Sequence, residues 1–420
     1  MTSSIPSAER AGDGPSQGAP GHDPTPEELI RRAQALRPRL RELQQQHEEL
    51  GGYTQEIHDA LVAAEFYRIL QPRRFGGLEY GLELFLRIAV EISRGDPGVG
   101  WSFVLGAGHT YHVCSFFGER AQRELFGEGT LIAPSRTIPM GKATQVEGGY
   151  RLSGTWDYCS GSMWGTYALV VAPTIGPDGS SGGLRFFAVP RRDFTVLDDW
   201  GGGQTMGLQA SSSNSVKVED AFVPEHLSVH YDFRDHVLGE SGPEGFQVNQ
   251  NPLYVGRSLL FFNAEGAAVM VGAALAALDE YEDLMRQRNS SFPPRLPRTE
   301  THEYHGWYGE IRSLTDAAEA LLFAGARQYM ELAMRWMETG EDFSLEHDLR
   351  LRGIVQQGVQ MANRAVDLAF TTAGTSAAKR GSALQKYYRD VGMFRTHILA
   401  QWDVTNAAAS RYHFGQPLTF

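Results

Sequence analysis

"ATQVEGGYRLSGTWDYCSGSMWG", from Ala143 to Gly165, is where the texture of the chain changes and the fold can be read. Its first part alternates apolar and polar residues around a Gly-Gly turn, the mark of paired strands with one face on a core. Its second part, Ser153 to Gly165, sets four serine or threonine hydroxyls, a thiol, three glycines and three large aromatics into thirteen positions. That mixture suits either a strand-turn-strand on the core or the wall of a site for a flat ring with a polar edge. Similar short runs continue in "TYALVVAPTI", "GLRFFAVPRRDFTVLDDW" and "SNSVKVEDAFVP", so residues 131–235 are expected to form a small antiparallel β domain.

On either side the pattern is helical. Leu29, Ile30, Ala33, Leu36, Leu40 and Leu43 lie on one stripe, with Thr25 and Glu28 set as a capping box around Pro26. "IHDALVAAEFYRIL", "GLELFLRIAVEISRG" and "DPGVGWSFVLGAGHTYHVCSFF" continue this N-terminal helical domain over residues 25–130. Residues 1–24 are rich in Ser, Gly and Pro and are expected to be a disordered tail. After a loop-like stretch, residues 250–420 carry long amphipathic segments joined by short links, as in an up-down four-helix bundle. The expected class is therefore α+β, ordered as helices, strands, helices.

The chain has 420 residues, more than one core usually serves, and 42% of them are hydrophobic against 21% charged. Its net charge of −12 comes without a basic run, which argues against nucleic acid or a membrane surface and for small-molecule partners. Cys114 and Cys159 are too few for a disulfide scaffold and read as small buried hydrophobes in a reducing compartment. With no run of about 18 apolar residues and no basic-then-apolar leader, a cytoplasmic location is expected.

Several chemistries find no foothold. There is no Walker-type phosphate loop, no glycine pattern in dinucleotide-binding spacing, no His-Glu-x-x-His pair and no Gly-x-Ser-x-Gly elbow. His109 and His112 stand three apart on one helical face, which permits a metal pair, but no metal site is assigned.

"SGTWDYCSGS", "GLQASSSNSVKVEDAFVPEH" and "YYRDVGMFRTHI", in that order, resemble the acyl-CoA dehydrogenase fold over roughly residues 27 to 418. Within that superfamily the chain looks most like the oxygenase components of two-component flavin monooxygenases, such as para-hydroxyphenylacetate hydroxylase, the steroid-degrading phenol hydroxylase and the amino-sugar N-oxygenases. In many of the dehydrogenases a catalytic glutamate follows the Arg-Asp motif by eight residues; here Arg389-Asp390 is followed at that place by Ile398, preceded by His397. An isoleucine accepts no proton, so a dehydrogenase or oxidase of acyl thioesters is the alternative reading, and a helical scaffold without cofactor the third.

The resemblance implies a cofactor, reduced FMN or FAD delivered by a separate NAD(P)H:flavin reductase, and reaction with O2 through a flavin C4a-hydroperoxide. One oxygen atom would pass to an aromatic, phenolic or nitrogen-containing small molecule. It places Ser160 at the flavin N5 edge, with Tyr158 and Ser162 beside it; Arg257 and the hydroxyls of Ser211 to Ser213, Ser212 among them, are further candidates for phosphate or ribose because cations and hydroxyls bind phosphate oxygens. His397 would stand beside the flavin C4a position, and His109 would face the substrate, with Trp101, Phe103, Trp164 and Phe394 as pocket walls. A homotetramer built on the C-terminal bundle is also implied.

Overall fold

The computed structural model of the chain describes residues 23–127, 129–232, 238–239, 241–291 and 293–418. The expected tail lies outside the described residues except for Asp23 and Pro24. Six helices come first: α1 Pro26–Leu50, α2 Gln55–Ala63, α3 Leu82–Gly95, α4 Pro97–Gly108, α5 Thr110–Phe116 and α6 Glu119–Gly127. The Thr25 hydroxyl accepts the Glu28 N–H at 3.2 Å at the start of α1, while the Glu28 carboxylate turns to Arg32. Leu29, Ala33, Leu40 and Leu43 of the predicted stripe are buried, and α1 packs on α3.

Eight strands come next: β1 Ser135–Arg136, β2 Lys142–Val146, β3 Gly149–Trp156, β4 Tyr167–Ile175, β5 Ser181–Pro190, β6 Thr195–Val196, β7 Val216–Pro224 and β8 Ser228–His230. They form one sheet in the order β6-β7-β3-β2-β4-β5-β8, with β1 beside β4. The expected all-antiparallel sheet is corrected here to a mixed one, because β1 and β2 both pair parallel to β4. The reason lies in the connection after β3. The chain leaves the ladder at Trp156, crosses past β2 and re-enters as β4 on its far side, so β2 is flanked by an antiparallel β3 and a parallel β4. Residues 157–166, which take in the end of the opening stretch, therefore form no hairpin turn but a crossover, and β4 is buried on both faces from Tyr167 to Ala172.

The remaining helices are α7 Glu244–Asn249, α8 Ser258–Gln287, α9 His302–Thr339, α10 Leu345–Thr372, α11 Ala383–Phe394 and α12 Trp402–His413. α8, α9 and α10 pack on one another, α11 lies against α8 and α10, and α3 and α4 cover another side of α8. Among the described residues α8 alone is long and apolar enough to cross a membrane, yet 89% of its most apolar window is buried inside the protein. Its many alanines and glycines meet neighbouring helices, and one apolar core runs through the helices and the sheet.

A charged cluster lies inside this core. Lys386 of α11 donates from Nζ to Asp96 Oδ1 at 2.9 Å and to Asp390 Oδ2 at 2.7 Å, and all three side chains are buried. Asp96 joins α3 to α4, accepts the Gly98 N–H at 2.9 Å as the cap of α4, and faces His47 Nδ1 of α1 at 3.2 Å. Asp390 accepts the backbone N–H of Leu208 at 2.7 Å, which ties the loop before β7 to α11. Although burial opposes its charge, the Lys386 cation and the His47 contact hold the Asp96 carboxyl down at about 2. Removing the lysine would leave two carboxylates without a counter-charge in the core. Lys386→Met should therefore destabilise the chain by about 3–5 kcal/mol in urea unfolding; a loss near zero would show that the cluster does not hold these elements together.

Candidate active site

The crossover begins with two backbone features. Tyr158 takes a φ of 55° and Gly161 a φ of 82°, which turn the chain so that Ser160 points inward while Tyr158 stays half exposed. The Gly161 position is close as well as left-handed, since a Cβ there would sit 3.1 Å from the Ser102 carbonyl oxygen of α4. Hydrogen bonds from Cys159 N to Asn214 O, Gly161 N to Ser211 O and Ser162 N to Ser212 O lay this segment along the loop before β7.

Ser160 is the hub of a hydrogen-bonded chain. Trp101 of α4 donates its indole N–H to Ser160 Oγ at 2.9 Å; Ser160 Oγ lies 2.7 Å from Ser213 Oγ, which lies 2.6 Å from Ser211 Oγ. Each hydroxyl carries one proton. A chain that accepts the indole N–H thus has one hydroxyl proton left over for a group outside it. Trp101 also meets His397 edge-on, with ring centroids 5.1 Å apart, and Phe394 at 5.6 Å, so Ser160, Trp101, Phe394 and His397 form one wall.

The two histidines are in opposite tautomers. His109 Nδ1 lies 2.7 Å from the Ala133 carbonyl oxygen, which only accepts, so Nδ1 carries the proton and Nε2 presents a lone pair. His397 Nδ1 accepts the Leu399 N–H at 3.1 Å, so its proton sits on Nε2, which is a donor. Desolvation lowers both to about 4, assisted at His397 by the charge of Arg136, and both rings are neutral around pH 7. The two side chains are thus a base and a hydrogen-bond donor of the same residue type.

Other predicted residues lie elsewhere. The Ser212 hydroxyl is used by Met163 N at 2.8 Å and the Ser162 hydroxyl by Ser212 O at 2.8 Å, so both brace the turn. Tyr158 packs outward under Arg136 and against Trp200. Trp164 leaves the Trp101 wall and stacks on His58 at 4.1 Å, its indole nitrogen buried without a partner among the described residues. Arg257 is buried in the C-terminal part, where its Nε donates to Phe343 O at 2.7 Å. Phe103 is buried against Phe66, Tyr67 and Phe85. His112 stacks on Phe262, and no group of three metal-ligating side chains is found among the described residues. Cys114 and Cys159 are both buried. Ile398 is 55% exposed and puts no carboxylate at the place where the dehydrogenase pattern has one.

Sequence reading missed Arg136 and the use made of Ser213 and Ser211. Arg136 pairs with Asp157 at 2.9 Å beside the crossover and acts electrostatically on His397, although it lies on a strand of only two residues that carries no motif. The residues present fit a flavin. They offer the Trp101 and Phe394 rings, a hydroxyl chain with one proton to spare that includes Ser160, and, nearby, the cation of Arg136 for a ring that is anionic when reduced.

Residues 265–402 match the family model of the acyl-CoA dehydrogenase C-terminal domain. Over 93% of its length the chain is 28% identical to a flavin-dependent monooxygenase, oxygenase subunit HsaA, of Rhodococcus jostii, of which it covers 99%. The crystal structure of 3-HSA hydroxylase from Rhodococcus sp. RHA1 superposes with a TM-score of 0.83 at 27% identity, covering 94% of this chain and 98% of that one. XiaF from Streptomyces sp., solved with FADH2 and glycerol, shares the fold at a TM-score of 0.85 and 24% identity, covering 94% and 97%.

A histidine whose folded pKa lies below its unfolded value near 6.5 binds its proton more readily when unfolded. Stability should therefore fall as pH drops from about 6.5 to about 4 and not fall further for this reason below that. Urea midpoints across this window should be flatter in His109→Gln than in the native chain; equal slopes would contradict the neutral buried ring.

Proposed function

We propose that this chain, an oxygenase component of the two-component flavin-dependent monooxygenases with the acyl-CoA dehydrogenase fold, hydroxylates a small phenolic compound with reduced FMN or FAD. When bound, the reduced flavin supplies the electrons that activate dioxygen, so that one oxygen atom passes to the substrate and the other leaves as water. The observation that carries the reading is the wall itself, a hydroxyl chain with a proton to spare beside a donor histidine.

Ser160 would hold the hydrogen-bonding edge at flavin N5, polarised by Trp101 and Ser213. His397 would direct its Nε2–H to the oxygen handled in the cleft. It does so as a neutral donor rather than as an imidazolium, given a pKa of about 4. His109 Nε2 would accept a hydrogen bond from the substrate hydroxyl, which raises electron density on the ring carbon that takes up oxygen. Arg136 would balance the negative charge of the reduced ring. Trp101 and Phe394 would keep water from the reacting faces.

The same reading extends to the assembly. Reduced flavin would arrive by diffusion from a separate NAD(P)H-dependent reductase in the cytoplasm, since "oxygenase subunit" in the Rhodococcus relative names one part of such a pair. Residues 25–130, 131–235 and 250–420 would act as three domains, the last a four-helix bundle through which four copies associate. The alternation of helical and strand elements along the chain supports this division.

With a flavin reductase, NADH, FMN or FAD and a panel of phenols under 18O2, the chain should form a hydroxylated product carrying one labelled oxygen. Ser160→Ala and His397→Ala should each lower product per NADH by roughly tenfold, the loss expected of one hydrogen bond, with hydrogen peroxide rising to match. Flavin reduction by acyl-CoA, without product from any phenol, would reverse the reading in favour of a thioester dehydrogenase.

A further inference from the structure

Glu265 lies on α8, fully buried, and neither carboxyl oxygen has a hydrogen-bond partner among the described residues. Such a group is costly to keep in a core, because burial removes its hydration and nothing replaces it. Burial pushes its pKa well above the ordinary carboxyl range, so the group is a neutral acid, one O–H donor beside an acceptor oxygen. Elsewhere in the core carboxylates are matched: Asp96 and Asp390 by Lys386, Asp348 by the N–H groups of Leu259 and Leu260 at 2.9 and 2.8 Å. Glu265 stands apart from this practice.

Its position is specific. The carboxyl lies against Gly108, the last residue of α4, where a Cβ would stand 2.0 Å from Oε1; a side chain at residue 108 would take the space that the carboxyl uses. Residue 109, next in the chain, is the histidine with its lone pair on Nε2. On α8 the neighbouring residue Gly266 packs against Phe394 and Leu399, which also surround His397. One turn earlier Phe261 stacks on Tyr111, and Phe262 on His112. The unmatched carboxyl thus sits in the seam between α4–α5 and α8, adjoining the residues that build the proposed site.

We infer that Glu265 binds substrate, its carboxylic acid donating a hydrogen bond to the same phenolic oxygen whose O–H donates to His109. A hydroxyl is both donor and acceptor, and the two side chains are complementary to it, one a base and the other a neutral acid. Both contacts are hydrogen bonds and no proton, electron or heavy atom is transferred: His109 accepts from the phenol O–H, Glu265 donates to its oxygen, and the phenol and Glu265 each keep their proton. The inference rests on the phenol hydroxylase reading for its substrate class, while the unmatched carboxyl stands without it.

The test compares Glu265→Leu, which removes both polar atoms at similar volume, with Glu265→Gln, which restores a donor and an acceptor. Quenching of tryptophan fluorescence by resorcinol and by p-hydroxyphenylacetate gives dissociation constants, and thermal melting gives stability. Glu265→Leu should weaken the better ligand by about tenfold to a hundredfold, since the substrate oxygen loses its partner, and Glu265→Gln should recover most of that affinity. Glu265→Leu should also melt above the native chain, because a buried group without a partner has been replaced by an apolar one. Unchanged affinity in Glu265→Leu overturns the inference, as does a Glu265→Gln variant that binds no better, which would mean that the site recognises a charge. The melting comparison needs no ligand. A lower melting temperature in Glu265→Leu refutes the unmatched carboxyl, whereas failure of the native chain to hydroxylate any phenol would count against the proposed substrate class alone.

Discussion

A single buried ammonium connects the parts of this molecule. Lys386 reaches Asp96, which ends α3 and caps α4, and Asp390, whose other oxygen holds the Leu208 N–H. The energetics are asymmetric. A complete buried ion cluster adds little to net stability over well-packed apolar residues, but a broken one leaves charges stranded in a medium that cannot solvate them. The cluster therefore restricts arrangement more than it strengthens the fold, because α1, α4, α11 and the loop before β7 must all be in place for its charges to be matched.

The wall of the proposed site hangs on this arrangement. Trp101 lies on the helix that Asp96 caps, and Ser211 and Ser213 on the loop that Asp390 grips; the two sides meet at Ser160 Oγ. Leu208 and Ser212 both take positive φ without being glycine, conformations that cost of order 1 kcal/mol each and persist where the surroundings determine them. Asp390 on Leu208 and Met163 N on the Ser212 hydroxyl are such determinants. Phe394 ends the helix that carries Lys386 and Asp390, and it stacks toward His397 just beyond. A network of charges thus sets the positions of side chains that are themselves uncharged.

How far the sequence discloses this depends on the range of each interaction. Helix α1 was legible because its stripe and its Thr25 cap are local. The strands were legible by alternation, but not their mixed pairing, since the direction of β4 beside β2 depends on where the crossover lands. Lys386 and Asp390, four apart on one helix, look like an ordinary surface pair; that Asp96, 290 residues away, completes them emerges only from packing. Ser160, His109 and His397 could be picked out by resemblance, yet their protonation could not, because it is set by backbone groups of Ala133 and Leu399. Arg257 and Ser212, chosen for being a cation and a hydroxyl near polar runs, prove to be occupied within the fold. Glu265 sat unnoticed in an Ala-rich helix, since an unmatched carboxyl shows itself only once its neighbours are known.

The central question is whether the wall formed by Ser160, Trp101, Phe394 and His397 is where a flavin ring lies. The most direct measurement is a crystal structure of the chain soaked anaerobically with reduced FMN or FAD. The isoalloxazine should lie against Trp101 and Phe394, with its N5 edge in hydrogen-bond reach of Ser160 Oγ and His397 beside it. A ring bound far from both Ser160 and His397, or a wall closed by side chains with no flavin density against it, would contradict this assignment.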